Sequence, residues 1–301
     1  MSVVLGVDGG GTNLRVALVD ERLDVLAEAH GESVNPSVVG QALAAQRIQE
    51  GISQALRAAR LAPEHVAAAG IGVAGAAVEH SAAWLTQTLR AALPASRLAL
   101  SSDVEIALVG AHGQRLGILL LAGTGSCGYG VNAAGESALV GGWGYLIGDE
   151  GSGYWLGRQA LKTVAQIADE KRRDPASQAF REQVLDFLEI RDSRKMIKWI
   201  YGDGAPAPRI ATLAPLVLAL AQNGNPHAVR IATLGVLKLV DYARTLQLSL
   251  DLIESPIAFA GGLLEKSPYY RGLLAEHLNI DIPQTLYPPV LGAAILAWGT
   301  L

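Results

Sequence analysis

The sequence VVLGVDGGGT, residues 3–12, decides the fold class of this chain. Its first five residues are an apolar run typical of a buried strand, and an aspartate followed by glycines then ends that strand in a tight turn. Residues 14–19 and 25–29 predict two further strands, separated by a short turn. The chain therefore opens in the order strand, glycine turn, strand, turn, strand.

The same order returns further along the chain. Residues 117–122 predict an apolar strand, GTGS at residues 123–126 a second glycine turn, and residues 129–132 and 137–140 two more strands. The hydrophobic pattern predicts further strands over residues 66–74, 97–100 and 257–260. It predicts helices over residues 36–61, 82–93, 104–110, 152–189, 193–201, 214–222, 227–250 and from residue 290. The dense Gly and Pro residues of 202–208 predict an exposed loop. Alternating strands and helices indicate the α/β class, and the repeated opening predicts two similar halves.

Length and composition agree with a chain of two folded domains. At roughly 150 residues per domain, 301 residues predict two. Hydrophobic residues make up 50% and charged residues 17%, which provides a large apolar core and excludes a disordered chain. The net charge of −4 gives no basic face for nucleic acid, so we expect no nucleic-acid partner.

The apolar runs, the first residues and the cysteine count argue against a membrane protein and against a secreted protein. The longest apolar runs, residues 66–78, 210–221 and 290–301, are each shorter than the roughly 18–20 residues that span a bilayer. The N-terminus enters a strand pattern directly, without a basic region and a cleavage site. A single cysteine, Cys127, excludes an internal disulfide and any site that needs two thiolates from this chain. We therefore expect a cytoplasmic protein with no membrane partner.

Three glycine turns that follow apolar strands are candidates for binding phosphate. Backbone N–H groups in such turns can close on phosphate oxygens, and the hydroxyls of Thr12, Thr124 and Ser126 can add donors. The residues concerned are Gly9, Gly10, Gly11 and Thr12 in the first turn, Gly123, Thr124 and Gly125 in the second, and Gly261 and Gly262 in the third. The chain contains no Gly-Lys pair, which excludes a Walker A loop, and the first turn leads into a strand, which argues against a Rossmann turn. The alternative is that each turn is a plain hairpin.

Two aspartates stand where predicted strands end. Asp8 closes the first strand and is a candidate for holding Mg²⁺ beside phosphates, because that ion favours one or two carboxylates. Asp103 follows the strand of residues 97–100 and precedes a helix, where it could accept the proton of a sugar hydroxyl during phosphoryl transfer. The alternatives are structural, with Asp8 as a turn residue and Asp103 as a helix N-cap.

The most informative stretch is GGWGYLIGDEGSG, residues 141–153, in which glycines surround one indole and two adjacent carboxylates. Carboxylates accept hydrogen bonds from sugar hydroxyls, and an indole face packs against the C–H groups of a sugar ring. The stretch therefore predicts a sugar-binding loop. The alternative is an ordinary loop in which Asp149 or Glu150 caps the helix that begins near Ser152.

These segments resemble the N-acetylglucosamine kinases of the BadF/BadG/BcrA/BcrD ATPase family, within the sugar kinase, heat-shock protein 70 and actin superfamily. The resemblance runs the length of the chain and is carried by residues 4–20, 122–128, 141–153, 260–262 and 292–293. It implies an α/β fold of two ribonuclease-H-like domains, each with a five-stranded mixed sheet flanked by helices, and ATP in the cleft between them. The implied domains are residues 1–115 plus 289–301, with the C-terminal helix returning to the first domain, and residues 116–288.

The resemblance also implies roles for individual residues. For the sugar, these are Asn35 and Asp149 as ligands of hydroxyls, Asp103 as the general base, and Gly142, Trp143 and Gly144 as the binding loop. For the nucleotide, they are Thr12 and Thr124 at the phosphates and Ala211, Gly261 and Gly262 beside the adenosine. The implied activity is transfer of the γ-phosphate of ATP, with Mg²⁺, to the 6-hydroxyl of N-acetylglucosamine. We expect a homodimer whose ligands are a small-molecule sugar and ATP.

Two alternatives stay open. Gly72-Val73-Ala74-Gly75 is similar to the bacterial glucosamine kinases of the family, whereas the animal N-acetylglucosamine kinases have serines there, so glucosamine is the second candidate substrate. The family also includes ATP-driven activators of dehydratases, which bridge an iron–sulfur cluster with two cysteines per chain, and one cysteine cannot supply that. A regulatory nucleotide-binding protein without the chemistry would be expected to lack Asp103 or the sugar loop, and this chain has both.

Overall fold

The computed structural model describes residues 2–10, 13–75, 78–202 and 206–301. The chain divides into two compact units. The first comprises Met1–Leu119, Gly130–Glu136 and Gln284–Leu301, and the second comprises Leu120–Tyr129 and Ser137–Pro283. The assignment of residues 1–115 plus 289–301 and of residues 116–288 to two domains stays a prediction.

Nine strands in the described part of the chain form two sheets. They are β1 (Val3–Gly9), β2 (Asn13–Val19), β3 (Val25–Glu32), β4 (Val66–Val73), β5 (Arg97–Ser101), β6 (Gly117–Ala122), β7 (Ser126–Val131), β8 (Ser137–Gly141) and β9 (Ile257–Ala260). The first sheet has the order β3-β2-β1-β4-β5, and the second has the order β8-β7-β6-β9. Because β1, β4 and β5 are parallel, their carboxyl ends meet at one edge of the first sheet.

Helices flank the sheets. They are α1 (Pro36–Val39), α2 (Gln41–Ala59), α3 (Val78–Ala92), α4 (Asp103–His112), α5 (Gly153–Asp169), α6 (Pro175–Phe187), α7 (Met196–Ile200), α8 (Pro206–Ala211), α9 (Ala214–Gln222), α10 (Pro226–Ser249), α11 (Gly262–Lys266), α12 (Pro268–Leu278) and α13 (Pro289–Trp298), with 3₁₀ turns at Pro63–His65 and Ser193–Lys195. The predicted α/β class, with two sheets flanked by helices, is confirmed. Within the described ranges, no helix is both long enough and apolar enough to cross a membrane.

The first sheet has an apolar core on each face. On one face, side chains of β1 and β2 pack against α2 and α3. On the other face, Val290 and Ala294 of α13 pack against β1 and β4. A Cβ on Gly6 would lie 2.1 Å from the carbonyl oxygen of Val290, and a Cβ on Gly70 would lie 1.9 Å from that of Ala293. These glycines let α13 lie directly on the sheet and so fix the strands whose ends carry candidate site residues.

Several predicted boundaries were wrong for local reasons. The predicted helix over residues 36–61 is interrupted at Gly40, whose φ of +81° is not helical. The predicted helix over residues 152–189 is interrupted between α5 and α6, where Lys171 has a φ of +50° and Pro175 starts a new helix. The predicted loop over residues 202–208 is in part the helix α8, which begins at Pro206, while residues 203–205 lie outside the described ranges.

The second sheet has four strands in the described part of the chain, where the resemblance implied five. No strand follows α12, in residues 279–288. This segment contains Pro283 and Pro288, which lack the N–H group that a strand needs to pair within a sheet.

Candidate active site

The carboxyl edge of the first sheet brings three predicted site residues together. Asp8 on β1 lies opposite Gly72 on β4, which in turn pairs with the last residue of β5. Asp103 begins α4 just beyond β5. Asn35 reaches the same edge, because a Cβ on Gly75, just beyond β4, would lie 2.5 Å from the Asn35 Oδ1 atom. Residues distant in sequence thus meet through the parallel register.

Asp8 is half-buried at this edge. The pKa of its carboxyl is raised from 3.8 to about 6, first because the group is buried. Arg15, opposite it on β2, lowers that pKa, the charge of Asp103 raises it, and the N–H of Gly10 lowers it. The charge of Asp103 therefore acts on the Asp8 carboxyl, and a cation bound beside the two groups would favour the ionised form of both.

Asp103 is the first residue of α4, and Ser102 caps the helix. The Ser102 Oγ atom accepts a hydrogen bond from the N–H of Glu105 at 3.2 Å. The alternative interpretation of Asp103 as the N-cap is therefore wrong. Burial raises the pKa of the Asp103 carboxyl, while the N–H groups of Val104 and of Asp103 itself lower it. A carboxyl with a raised pKa is a stronger base than an exposed aspartate.

Asn35 caps the short helix α1. Its Oδ1 atom accepts a hydrogen bond from the N–H of Ser37 at 2.9 Å. Within the described ranges, the amide nitrogen of this half-buried side chain has no hydrogen-bond partner. It is therefore a donor that remains available to a hydroxyl oxygen at the carboxyl edge of the first sheet.

The oxygen ligands at this edge fit Mg²⁺. That ion is bound in proteins by one or two carboxylates together with substrate phosphates, rather than by a cage of protein ligands. Asp8 and Asp103 provide two carboxylates, and the described residues contain no group of three or more His, Cys, Asp or Glu side chains that could hold a metal alone. The predicted phosphate ligands Gly11 and Thr12 lie outside the described residues.

The second glycine turn, residues 123–126, is held by hydrogen bonds to the start of α5. The N–H of Gly153 donates to the carbonyl oxygen of Gly123 at 2.8 Å, and the N–H of Tyr154 donates to that of Thr124 at 3.2 Å. Within the turn, the N–H of Gly123 donates to the carbonyl oxygen of Gly125 at 2.9 Å. The backbone of this turn is therefore ordered by the protein itself.

Asp149 and Glu150 accept hydrogen bonds that hold this turn and its surroundings in place. The Asp149 Oδ1 atom accepts a hydrogen bond from the N–H of Ser126 at 3.2 Å, and both carboxyl oxygens of Asp149 lie 2.9 Å from where a Cβ on Gly125 would be. The Glu150 Oε2 atom accepts a hydrogen bond from Tyr242 Oη at 2.9 Å. Burial raises the pKa of Asp149, the N–H of Ser126 lowers it, and the charge of Glu150 raises it. Neither residue caps α5, because Ser152 Oγ accepts from the N–H of Trp155 at 3.2 Å.

The first part of the predicted sugar-binding loop, residues 141–147, carries exposed apolar side chains. The side chain of Trp143 is 75% exposed, and those of Leu146 and Ile147 are each 76% exposed. Gly142 and Gly144, on either side of Trp143, have φ values of +70° and +81°, which other residues rarely adopt. Three large apolar side chains are therefore exposed within five residues, a concentration that is typical of interaction sites. The sequence pattern identified the indole but not Leu146 and Ile147.

The described glycines in the three turns fall into two groups. A Cβ on Gly9, Gly125 or Gly261 would lie within 3.0 Å of other atoms, so the fold itself requires these glycines. In contrast, a Cβ on Gly10, Gly123 or Gly262 would have no neighbour closer than 3.5 Å, and none of the three has a left-handed φ. Each turn therefore contains one glycine that the fold does not require, as expected where a phosphate or ribose approaches the backbone.

The third turn lies next to a cavity. Gly262 and Leu263, at the start of α11, line a cavity of about 320 Å³ together with Pro215 and Tyr269. Ala211, at the end of α8, lies beside Gly153 at the start of α5. A larger cavity of about 470 Å³, on the α5 face that carries Arg158, has none of the predicted site residues in its lining.

Comparison with known proteins gives the family. The model of the BadF/BadG/BcrA/BcrD ATPase family matches residues 5–297. The chain belongs to this family. An N-acetylmuramic acid/N-acetylglucosamine kinase of Clostridium acetobutylicum is 30% identical to this family member, over 94% of this chain and 92% of its own. A glucosamine kinase of Vibrio cholerae is 31% identical over 56% of each chain.

A solved structure agrees with the membership of this chain in the BadF/BadG/BcrA/BcrD ATPase family. A Chromobacterium violaceum structure, described provisionally as an N-acetylglucosamine kinase, has a TM-score of 0.78 and 31% identity, over 98% of this chain and 99% of its own. The family and the fold predicted from the sequence are therefore confirmed. The roles of individual residues stay predictions.

Two residues of the site have contacts that the sequence did not predict, although Ser126 was a candidate hydroxyl donor to phosphate. Ser126 is buried and takes part in hydrogen bonds through its N–H, its carbonyl oxygen and its hydroxyl. Tyr242 lies on α10, 92 residues from its partner Glu150. Sequence spacing gave no signal for Tyr242, because a contact over that separation depends on how α10 packs.

Proposed function

We propose that this protein is an ATP-dependent amino-sugar kinase that transfers the γ-phosphate of ATP to the 6-hydroxyl of N-acetyl-D-glucosamine. The observation that carries the proposal concerns Asp103, which is not the N-cap of α4, lies at the same carboxyl edge as Asp8, and has a pKa raised by burial. The relatives named as amino-sugar kinases support the same class of reaction. We further propose that the protein is a homodimer located in the cytoplasm.

In this reaction Asp103 accepts the proton of the sugar hydroxyl as the phosphorus–oxygen bond forms. Phosphoryl transfer requires the nucleophile to be oriented and its proton removed late, which a carboxylate does when it is fixed within hydrogen-bond reach. Asn35 donates from its free amide nitrogen to a neighbouring sugar hydroxyl. These two contacts from one edge orient the ring so that a single hydroxyl faces the phosphate.

The glycine turns bind the nucleotide. Gly10 and Gly123 leave space at the backbone for phosphate oxygens, and Gly262 does so beside the cavity that would take the adenosine end. Mg²⁺ bound with ATP would be held by Asp8 and would neutralise charge on the phosphates. Thr124, in the ordered turn, adds a hydroxyl donor.

An acetamide fits the sugar loop better than a free amine. The ammonium group of glucosamine would need an acidic partner, and one oxygen of each candidate, Asp149 Oδ1 and Glu150 Oε2, already accepts a hydrogen bond within the protein. A neutral acetamide needs an apolar surface, and Trp143 with Ile147 provides one. This difference favours N-acetylglucosamine over glucosamine.

Two other functions remain as competitors. Glucosamine kinase is supported by the match to the Vibrio cholerae enzyme, although that match covers 56% of the chain. An ATPase activator is a different class, and the single buried cysteine, Cys127, does not provide the pair of thiolates that a bridged cluster needs.

The decisive experiment compares kcat/KM for N-acetylglucosamine and glucosamine, in wild type and in Trp143→Ala. We expect wild type to prefer N-acetylglucosamine and the product to be the 6-phosphate by NMR. If the indole packs against the acetamide, Trp143→Ala should reduce kcat/KM selectively for the acetylated sugar. The reduction should correspond to a loss of about 1–3 kcal/mol in transition-state stabilisation. Because Trp143 is exposed, the melting temperature should not change.

An equal loss for both sugars, or a wild type that prefers glucosamine, would favour the glucosamine kinase. ATP hydrolysis that no sugar stimulates would favour the activator class. Nucleotide binding without any turnover would indicate the regulatory protein. Light scattering after size-exclusion chromatography tests the homodimer.

A further inference from the structure

Tyr242 of α10 lies where the second glycine turn and the sugar loop meet. Its Oη atom donates to Glu150 Oε2 at 2.9 Å, and the hydroxyl of Ser126 lowers the pKa of the same phenol. Its ring lies against Gly141, since a Cβ on that residue would be 2.7 Å from the Tyr242 Cζ atom. One side chain therefore lies beside the last residue of the turn and contacts the loop on both sides of Trp143.

Ser126 connects the same two segments through its backbone. Its carbonyl oxygen accepts a hydrogen bond from the N–H of Gly142 at 3.0 Å, its N–H donates to Asp149, and its hydroxyl donates to the carbonyl oxygen of Glu150 at 2.7 Å. A displacement of the turn at Ser126 is thus transmitted to the loop on both sides of Trp143. Tyr242 of α10 fixes this junction from another element, through its hydroxyl.

The surroundings of the hydroxyl make its hydrogen bond strong. Burial raises the pKa of the Tyr242 phenol, the hydrogen bond and charge of Glu150 raise it further, the hydroxyl of Ser126 lowers it, and the charge of Asp149 raises it. The phenol therefore stays protonated at neutral pH and acts as a donor to the Glu150 carboxylate, a charge-assisted hydrogen bond. Removal of the hydroxyl would leave that half-buried carboxylate without this donor.

We propose that Tyr242 is a positioning residue that couples the phosphate-binding turn to the sugar-binding loop, so that each substrate binds more tightly when the other is present. The proposal rests on the proposed function for the identity of the two ligands. The coupling itself follows from the contacts: a nucleotide bound at residues 123–126 fixes the position of Ser126, and a displacement of Ser126 is transmitted to residues 141–150 through its own hydrogen bonds and through Tyr242. Coupling between binding sites is reciprocal, so the sugar should favour nucleotide binding to the same extent.

Tyr270 provides a matched control. It is fully buried, and its Oη atom donates to the carbonyl oxygen of Gly151 at 2.9 Å, at the end of the same glycine-rich stretch. Within the described ranges, its hydroxyl makes no hydrogen bond to Ser126 or to the carboxyl of Glu150. Replacement of either tyrosine by phenylalanine removes one buried hydroxyl and keeps the ring, so the two variants should lose comparable stability.

The first measurement is the KM for N-acetylglucosamine at low and at saturating ATP. In wild type we expect the KM to fall as ATP approaches saturation, and in Tyr242→Phe we expect that dependence to be lost, with kcat/KM for the sugar reduced about 10-fold at saturating ATP. Tyr270→Phe should retain the dependence in spite of a similar decrease in melting temperature. A dependence that survives in Tyr242→Phe, or that is lost equally in both variants, would overturn the proposal.

The second measurement does not depend on the substrate. Hydrogen exchange of the protein without ligands should increase in Tyr242→Phe in peptides that cover residues 123–127 and 141–148, and Tyr270→Phe should leave both unchanged. If wild type phosphorylates no amino sugar, the proposed function fails while this measurement still tests Tyr242. Unchanged exchange in the turn of Tyr242→Phe would overturn the coupling even if the kinase activity is present.

Discussion

The carboxyl edge of the first sheet and the glycine-rich stretch of residues 123–153 differ in the partners of their acidic groups. At the edge, Asp8 and Asp103 have pKa values raised by burial, and the N–H groups that oppose this shift belong to Gly10, Val104 and Asp103 itself, in the same local segments. In the glycine-rich stretch, the carboxyls of Asp149 and Glu150 accept hydrogen bonds from Ser126 and Tyr242.

This difference suggests a catalytic role for Asp8 and Asp103 and a structural role for Asp149 and Glu150. We propose that the first pair binds a cation and accepts a proton, whereas the hydrogen bonds of the second pair hold backbone in place for a ligand that contacts other groups. Two acidic pairs that look alike as candidates in the sequence therefore have different consequences when they are mutated. The following predictions test that distinction, in order of decreasing effect.

The largest effect is expected at the base. Asp103→Asn should lower turnover by about 10²–10⁴-fold, with little change in the KM for the sugar, because the amide keeps the shape of the side chain but cannot accept the proton. Steady-state kinetics with the coupled assay measure both values. The melting temperature should not decrease, since Ser102 caps the helix and burial disfavours the ionised carboxyl that the amide replaces.

Ser102→Ala is the control for capping. Loss of that cap should reduce the free energy of unfolding by about 1 kcal/mol. If Asp103→Asn loses as much stability and keeps its turnover, Asp103 has a structural role and the first sheet edge is not the catalytic one.

An intermediate effect is expected at the glycine that the fold does not require. Gly123→Ala should raise the KM for ATP about 10-fold, or roughly 1.4 kcal/mol, by crowding a phosphate, while the melting temperature stays the same. The added Cβ would have only the N–H nitrogen of Gly262 nearby, at 3.8 Å.

Gly125→Ala gives the opposite pattern. Its Cβ would lie 2.9 Å from both carboxyl oxygens of Asp149, so this variant should lose stability first. A Gly123→Ala variant that loses stability and keeps its affinity for ATP would indicate that the second turn is a plain hairpin.

The smallest effect is a pH dependence of stability. The pKa of Asp8 is about 6 in the folded protein against an ordinary value of 3.8, so the folded state binds this proton more tightly than the unfolded state does. The stability that this proton contributes is complete below the ordinary pKa and is lost as the pH rises through about 6. Without Mg²⁺, urea midpoints of wild type should therefore decrease over this range, and those of Asp8→Asn should decrease less.

Addition of Mg²⁺ with a nucleotide should remove part of the decrease in wild type, because a cation favours the ionised carboxyl. Asp103 and Asp149 also have raised pKa values and contribute in the same direction, so the difference between wild type and Asp8→Asn is the informative quantity. Identical pH profiles for the two proteins would exclude Asp8 as a buried, ligand-ready carboxyl.

The order of strands and the glycine turns were predictable because they depend on neighbouring residues. The apolar runs of β1, β4 and β6 and the glycines that follow them carry their own signal, since strand pairing and tight turns impose local demands on residue type. The family followed from the same motifs. The breaks within helices were missed, because a residue such as Gly40 or Lys171 ends a helix through its own φ without changing the hydrophobic period.

The sequence by itself determined the α/β class, the family and the location of Asp8, Asp103 and the sugar loop at the ends of elements. Only the tertiary structure decided which of these groups act together. The parallel register brings Asp8 and Asp103 to one edge, Ser102 takes the capping role from Asp103, and the packing of α10 directs Tyr242 to Glu150 across 92 residues. Local patterns record the demands of strands and turns, whereas the availability of a carboxyl depends on hydrogen-bond partners that arrive from distant elements when the chain folds.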